Sequence, residues 1–267
     1  YNAFKRKRSV YKVIFKRKIY DKLLEWKELS AGSSAILLEG ARRIGKTTIV
    51  EEFAKNEYDD YMILDFARES EDIRNNFTEN INDLDTFFRN LFLLKGRALQ
   101  GKKCALIFDE IQLFPLARQA IKYLVADGRY EYIETGSLIS IKKNVKDILV
   151  PSEEYRIKMY PMDFEEYLWA LGDTVTIPII QDAFKRKKPL GDSIHRKVMK
   201  NFRTYMAVGG MPQAVEAFVN GRTFAQIDFI KRNILDLYEE DLKKYDDENR
   251  EKASVIYKTI PEQLENK

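Results

Sequence analysis

The chain has 267 residues, 45% hydrophobic and 33% charged, with a net charge of +4, one cysteine and one histidine. That composition excludes a disordered chain, a disulfide framework and a cysteine-based zinc site, and its length suits one large or two medium domains. The longest apolar runs are only a few residues long, so no membrane span or signal peptide is expected.

Cys104 precedes an apolar run and reads as a buried, inert thiol, in keeping with a cytoplasmic setting. The charge is uneven. Residues 1–27 hold ten lysines and arginines against two acidic residues, a local +8 that leaves −4 for the remaining 240. Such a basic N-terminal arm is either solvated or a surface for DNA or an acidic protein partner. The chain opens on Tyr1, so a fragment of a longer protein is expected. Within the segment 1–29, Ile19, Leu23, Leu24 and Trp26 predict a short lead-in helix over 19–28, with Trp26 a packing group.

Residues 35–50, AILLEGARRIGKTTIV, carry the strongest signal. Ala35 to Leu38 read as a buried strand, and Gly40, Ala41, Arg42, Arg43, Ile44, Gly45, Lys46 and Thr47 fit G-x-x-x-x-G-K-[ST], the phosphate-binding loop, with Thr48 continuing into a helix. Its glycines allow backbone conformations in which successive N–H groups point at an anion, and the helix behind adds the positive end of its dipole. Lys46 supplies a charge for the β- and γ-phosphates, and the Thr47 hydroxyl is a ligand for Mg²⁺. Ile49, Val50, Phe53 and Ala54 share a helical face, so strand, loop and helix follow in the required order.

Tyr61–Phe66 predicts a second strand, residues 68–82 give no clear pattern, and 83–95 predict an amphipathic helix that Gly96 ends. Ala105 to Phe108 followed by Asp109 and Glu110 predicts a third strand with two carboxylates at its carboxyl end, where a parallel sheet opens its ligand crevice. There Asp109 holds Mg²⁺ and Glu110 orients or deprotonates the attacking water. Pro115 starts a helix closed by Asp127-Gly128. Tyr130–Glu134 predicts a fourth strand, and Thr135 and Ser137 beyond it are placed to sense the γ-phosphate. Lys142, Lys143 and Lys146 read as solvent-facing. Tyr155–Met162 predicts a fifth strand, and Asp163 with Glu166 a capping box.

The expected fold is α/β, a P-loop three-layer fold over 30–165 with a five-stranded, mostly parallel sheet, followed by an all-helical domain over 166–267. In that second part Val198, Met199, Phe202, Tyr205 and Met206 predict one helical face and Pro212 restarts a helix. Ile227, Ile230, Ile234, Leu237, Tyr238 and Leu242 face inward on a longer helix, and the acidic run EEDLKKYDDENRE is largely outward and solvated. His195 has no partner histidine and receives no role.

With GARRIGKTT, ALIFDEIQ, IETGS, MYPMDFEEYL and VGGMPQAV in this order, the chain resembles a prokaryotic AAA-like ATPase family that joins an ATP-binding domain to a C-terminal domain of unknown function, often ending in a nuclease-like fold. The resemblance implies ATP rather than GTP, and an extra strand between the phosphate-loop strand and the magnesium-aspartate strand. It also implies that relatives continue beyond IPEQLENK into a winged-helix-like and then a nuclease-like region. Family members commonly carry an uncharged residue at the position of Arg43, and many have Gly-Arg where this chain has Ser152-Glu153, which leaves Arg118 and Arg156 as candidates for the charge-stabilising arginine.

The resulting expectation is Mg²⁺-dependent ATP binding and slow hydrolysis coupled to a C-terminal effector region, with no membrane partner. The alternatives are a nucleotide-binding scaffold or DNA-interacting module without significant hydrolysis, and a small-molecule kinase, for which no acceptor pocket is legible. A GTPase is disfavoured because Asn144-Val-Lys146-Asp147 does not match the guanine-reading N-K-x-D order, and no second motor domain supports a helicase.

Overall fold

The apolar runs at 35–38 and 105–108 become β1 (Ala35–Gly40) and β3 (Cys104–Asp109), each buried along its whole length as a strand covered on both faces must be. The computed structural model describes residues 13–137, 151–245 and 250–265. Residues 1–12 of the basic arm, Lys142, Lys143, Lys146 and the segment Asn144–Asp147 lie outside them.

With β2 (Asp60–Asp65), β4 (Glu131–Ser137) and β5 (Glu154–Lys158) the strands form one sheet in the order β2-β3-β4-β1-β5, and every pairing is parallel. The extra strand between β1 and β3 is β4, as the family resemblance implies. Helices α1 (Ile19–Ser30) and α2 (Lys46–Glu57) cover one face. There Leu23, Trp26, Ile49 and Phe53 pack on Ile36, Leu38, Ile107 and Ile133. Helices α3 (Glu71–Asn80), α4 (Leu84–Lys95) and α5 (Pro115–Asp127) cover the other, where Phe66, Phe77, Phe87 and Phe108 meet edge to face. Trp26 is indeed a packing group, and burial pushes the Cys104 thiol up from its ordinary value.

Three boundaries differ from expectation. The unpatterned stretch 68–82 contains α3, whose start is fixed by Ser70, its side chain accepting from the Ile73 N–H. Strand β4 runs on through Thr135, Gly136 and Ser137, which pair with Leu38, Glu39 and Gly40, so these residues lie inside the strand and not beyond it. Strand β5 stops at Lys158, well short of Met162. Past it the Tyr160 carbonyl accepts from Arg17, and Pro161 has no N–H to continue a ladder.

The helical part comprises α6 (Phe164–Ala170), α7 (Thr176–Arg186), α8 (Asp192–Val208), α9 (Pro212–Val219), α10 (Phe224–Tyr245) and α11 (Arg250–Glu265). The expected capping box is present: the Asp163 side chain accepts from the Glu166 N–H, and Glu166 returns the bond to the Asp163 N–H. A separate apolar cluster of Met162, Tyr167, Leu168, Val208, Val215 and Ile227 holds this part together. It is anchored where the Met162 N–H donates to the Gly210 carbonyl at 2.7 Å. Gly210 permits this approach because a Cβ there would sit 2.1 Å from the Met162 carbonyl oxygen. Met206, expected on the inward face of α8, is 60% exposed because the contacts of that helix run through Phe202, Tyr205 and Val208. Two members of the acidic run also depart from expectation: Asp241 pairs with Arg42 at 2.9 Å, and Glu239 with Lys258 at 3.1 Å, while residues 246–249 of that run lie outside the described residues.

Candidate nucleotide site

The loop between β1 and α2 turns sharply because Arg43 and Gly45 both take positive φ, 64° and 96°, which alternates the backbone and turns N–H groups inward. Ile44 is fully buried, and at Gly40 a Cβ would lie 2.5 Å from both Ile44 Cδ1 and the Met159 carbonyl oxygen, so only glycine lets loop and sheet approach this closely. Lys46 lies 6% exposed, its Nζ donating to the Gly40 and Ala41 carbonyls at 3.0 and 2.8 Å. Burial holds its ammonium below the ordinary lysine value, opposed by the charges of Glu110 and Asp109.

Asp109, at the end of β3, receives two hydroxyls. Thr47 Oγ1 lies 3.0 Å from each carboxylate oxygen, and Thr135 Oγ1 on β4 bonds to Oδ1. Burial raises the Asp109 carboxyl above its usual value, and the two hydroxyls counteract this. The expected metal ligands Thr47 and Asp109 are thus brought together as hard oxygen donors, a set that fits Mg²⁺. Thr135 supports Asp109 directly.

Glu110 follows at φ 54°, a left-handed conformation that costs a non-glycine residue about 1 kcal/mol or more. Its carboxylate accepts from Gln112 Nε2, while Gln112 Oε1 accepts from the Ser137 N–H at 3.2 Å. A cleft of about 370 Å³ is bounded by Gly45, Lys46, Thr47, Thr48, Glu110, Arg17, Arg43 and the start of α9 at Pro212, Gln213 and Glu216. Thr135 and Ser137 do not line it; Ser137 instead borders a second cavity with Ala41, Arg42 and Tyr238.

Two groups escaped the sequence reading. Gln112 connects Glu110 to β4, and its only signal was its place two residues after the acidic pair. Arg17, counted within the basic arm, is buried: it donates to the Ile44 carbonyl at 2.8 Å and the Tyr160 carbonyl at 2.6 Å, and its Nε lies 3.2 Å from Glu166. That last contact lacks hydrogen-bond alignment and is coulombic. No periodicity marks it, because its partners are 27, 143 and 149 residues away in sequence. The helical part also touches the loop. Arg42 pairs with Asp241 and accepts from the Tyr238 hydroxyl through its carbonyl at 2.7 Å, and Arg43 donates to Gln213 at 3.3 Å. Arg118 and Arg156 both hold the buried Glu154 carboxylate, so neither is directed at the cleft.

A family model described as an AAA domain matches residues 32–168, just over half of the chain. The chain belongs to this AAA domain family. The matched segment contains the whole AAA sheet together with Lys46, Thr47, Asp109 and Glu110. A second model, a domain of unknown function, matches residues 199–267 and brings no activity with it, so the nuclease-like end implied by the resemblance finds no support there. No curated protein matches the chain. Among solved structures, a Walker-type ATPase of Pyrococcus abyssi is 15% identical, with 90% of this chain and 76% of that one covered at a TM-score of 0.44, a likeness too distant to carry an argument. No helix among the described residues is long and apolar enough to cross a membrane.

Proposed function

We propose that this AAA domain binds ATP with Mg²⁺ and hydrolyses it slowly, as a switch whose state is read by the helical part. The observation that carries this is the convergence of Lys46, Thr47 and the Asp109 carboxylate at the mouth of the phosphate loop, with Glu110 facing the same cleft. The loop amides and Lys46 bind the β- and γ-phosphates, Lys46 exchanging the Gly40 and Ala41 carbonyls for phosphate oxygens. Thr47 and Asp109 would hold Mg²⁺, which when bound neutralises charge on the phosphates. Glu110 orients a water toward the γ-phosphorus and takes its proton as the bond to the leaving ADP oxygen breaks. Gln112 fixes the Glu110 carboxylate until nucleotide arrives.

Slow turnover follows from the arginines. Arg118 and Arg156 are both committed to Glu154, and Arg17, although on the cleft, is tied to the Ile44 and Tyr160 carbonyls. Among the described residues the transition-state charge would therefore rest on Lys46 and the phosphate loop with its Arg43, together with Mg²⁺ when bound. The helical part reads the state through Asp241, Tyr238 and Gln213, which sit on the loop at Arg42 and Arg43. The basic arm, residues 1–27, is the place where DNA or a protein partner would engage.

The test is ATP turnover with Mg²⁺ for the wild type, Glu110→Gln and Lys46→Ala, with and without double-stranded DNA. The expected pattern is slow hydrolysis by the wild type, nucleotide binding without turnover by Glu110→Gln, and loss of binding by Lys46→Ala. Tight ATP binding with wild-type turnover no faster than that of Glu110→Gln under every condition refutes hydrolysis and leaves a nucleotide-dependent scaffold.

A further inference from the structure

Among the described residues, β5 is an outer strand whose one strand neighbour is β1. Its ladder bonds run from the Ala35 N–H to the Glu153 carbonyl and from the Met159 N–H to the Glu39 carbonyl, both 2.8 Å. In a parallel ladder every second residue bonds the same neighbour, so Tyr155 and Ile157 also face β1, and the N–H and C=O groups of Arg156 and Lys158 point away from the sheet. Among the described residues these outward groups have no backbone partner. The opposite edge is treated differently. There Arg97 bonds to Asp60 and to the Tyr61 carbonyl, and the Gln100 N–H donates to Asp60, so the segment after α4 is tied down along β2.

Beside the open edge, a groove of about 610 Å³ separates β5 from α1. Leu29 is 79% exposed, Tyr160 66% and Tyr155 55%, an apolar and aromatic strip flanking Trp26. The Ser30 hydroxyl, also on the groove, is buried with no hydrogen-bond partner. The pleat sends alternate side chains to opposite faces. Ile157 joins the cluster under α1 and α2, whereas Arg156 turns to the other face to meet Glu154. Lys158 shares that face and is exposed. Glu154 is already held by Arg118 through both carboxylate oxygens, so the edge presents surplus positive charge on one face and apolar surface on the other.

We propose that the outer edge of β5 takes up an extended segment of a partner protein as a sixth strand, its residues alternating between apolar and acidic. The apolar side chains lie over Leu29, Tyr155 and Tyr160, the acidic ones meet Arg156 and Lys158, and the main chain satisfies the outward groups of those two residues. A second copy of this chain fits less well: antiparallel registers that centre on Arg156 or set it against Lys158 oppose like charges, and Glu154, the one acidic residue of the strand that other registers would offer, is already held by Arg118.

The probe is a fluorescein-labelled octapeptide alternating valine and glutamate. The comparisons are a valine–lysine octapeptide and a block peptide of four valines followed by four glutamates. The alternating acidic peptide is expected to bind at least tenfold more tightly than either and to slow hydrogen exchange at the Arg156 and Lys158 amides. Lys158→Pro removes an N–H that the β1 ladder does not use, so thermal midpoint and ATP binding should persist while peptide affinity falls at least tenfold. Lys158→Glu should invert the preference toward the valine–lysine peptide. The proposal is overturned if the block peptide binds equally well, if a folded Lys158→Pro binds as the wild type does, or if the two amides are already protected in a concentration-dependent dimer.

Discussion

Replacing Arg17 by methionine removes a side chain that touches the phosphate loop, the exit of β5 and the start of α6 together. Stranding one partner of a buried ion pair costs about 3–5 kcal/mol. Glu166 keeps two backbone donors, the Lys18 N–H at 2.7 Å and the Asp163 N–H at 3.2 Å, which brings the expected loss toward the lower end, about 3 kcal/mol. At about 2–4 °C per kcal/mol for a chain of this size, the thermal midpoint should fall by about 6–12 °C. Arg17→Lys, which keeps the charge but not the three-way reach, should lose about half of that. The freed Ile44 carbonyl unpins the tip of the loop, so ATP affinity should drop about fivefold, the equivalent of one hydrogen bond of about 1 kcal/mol. Denaturant unfolding gives the first quantity. Titration with a fluorescent ATP analogue at a temperature where both proteins are folded gives the second. A loss of stability below about 1 kcal/mol, or an ATP affinity within twofold of wild type, refutes the clamp.

Glu110 at φ 54° predicts a separation of stability from activity: Glu110→Gly should be about 1 kcal/mol more stable than Glu110→Ala, with both inactive in hydrolysis, as read by chemical denaturation. Burial and the neighbouring Glu154 charge hold the Glu134 carboxyl well above its ordinary 4.5, and among the described residues neither of its oxygens has a hydrogen-bond partner. An acid whose pKa is raised on folding loses stability as pH rises above the unfolded value. Glu134→Gln should therefore gain on the wild type progressively above pH 4.5 and show no gain below it, and a gap independent of pH would count against this. Gly210→Ala drives a Cβ into the Met162 carbonyl and breaks the bond joining the turn between α8 and α9 to the segment between β5 and α6, so calorimetry should show a loss of at least about 2 kcal/mol.

The local signals in the sequence settled much of this molecule. The order G-x-x-x-x-G-K-T after an apolar run fixes a strand, a loop with positive φ and a helix, because each requirement is met within a dozen neighbouring residues. Asp109 could be placed at a strand end for the same reason, and the Asp163 and Glu166 cap is a bond pattern spanning three residues. Helix ends at Gly96 and Gly128 were equally legible.

What the tertiary structure decided are the relations between distant segments. The Thr135 hydroxyl reaches Asp109 only because β4 lies between β1 and β3, a neighbourhood set by the crossover helices and not by any pattern in β4 itself. Ser137 was expected in the cleft, but continued pairing with Gly40 keeps it in the strand. Arg17 reads as one more positive charge in a basic arm until the fold closes three partners around it, and burial then converts a solubilising residue into a structural one. Asp241 belongs to an acidic run that looks solvated because the arginine it meets lies 199 positions away. Backbone preference and side-chain periodicity act over a few residues, so a single chain carries them openly. Ion pairs, edge strands and clefts depend on which surfaces the folded chain brings together, and that is set by packing.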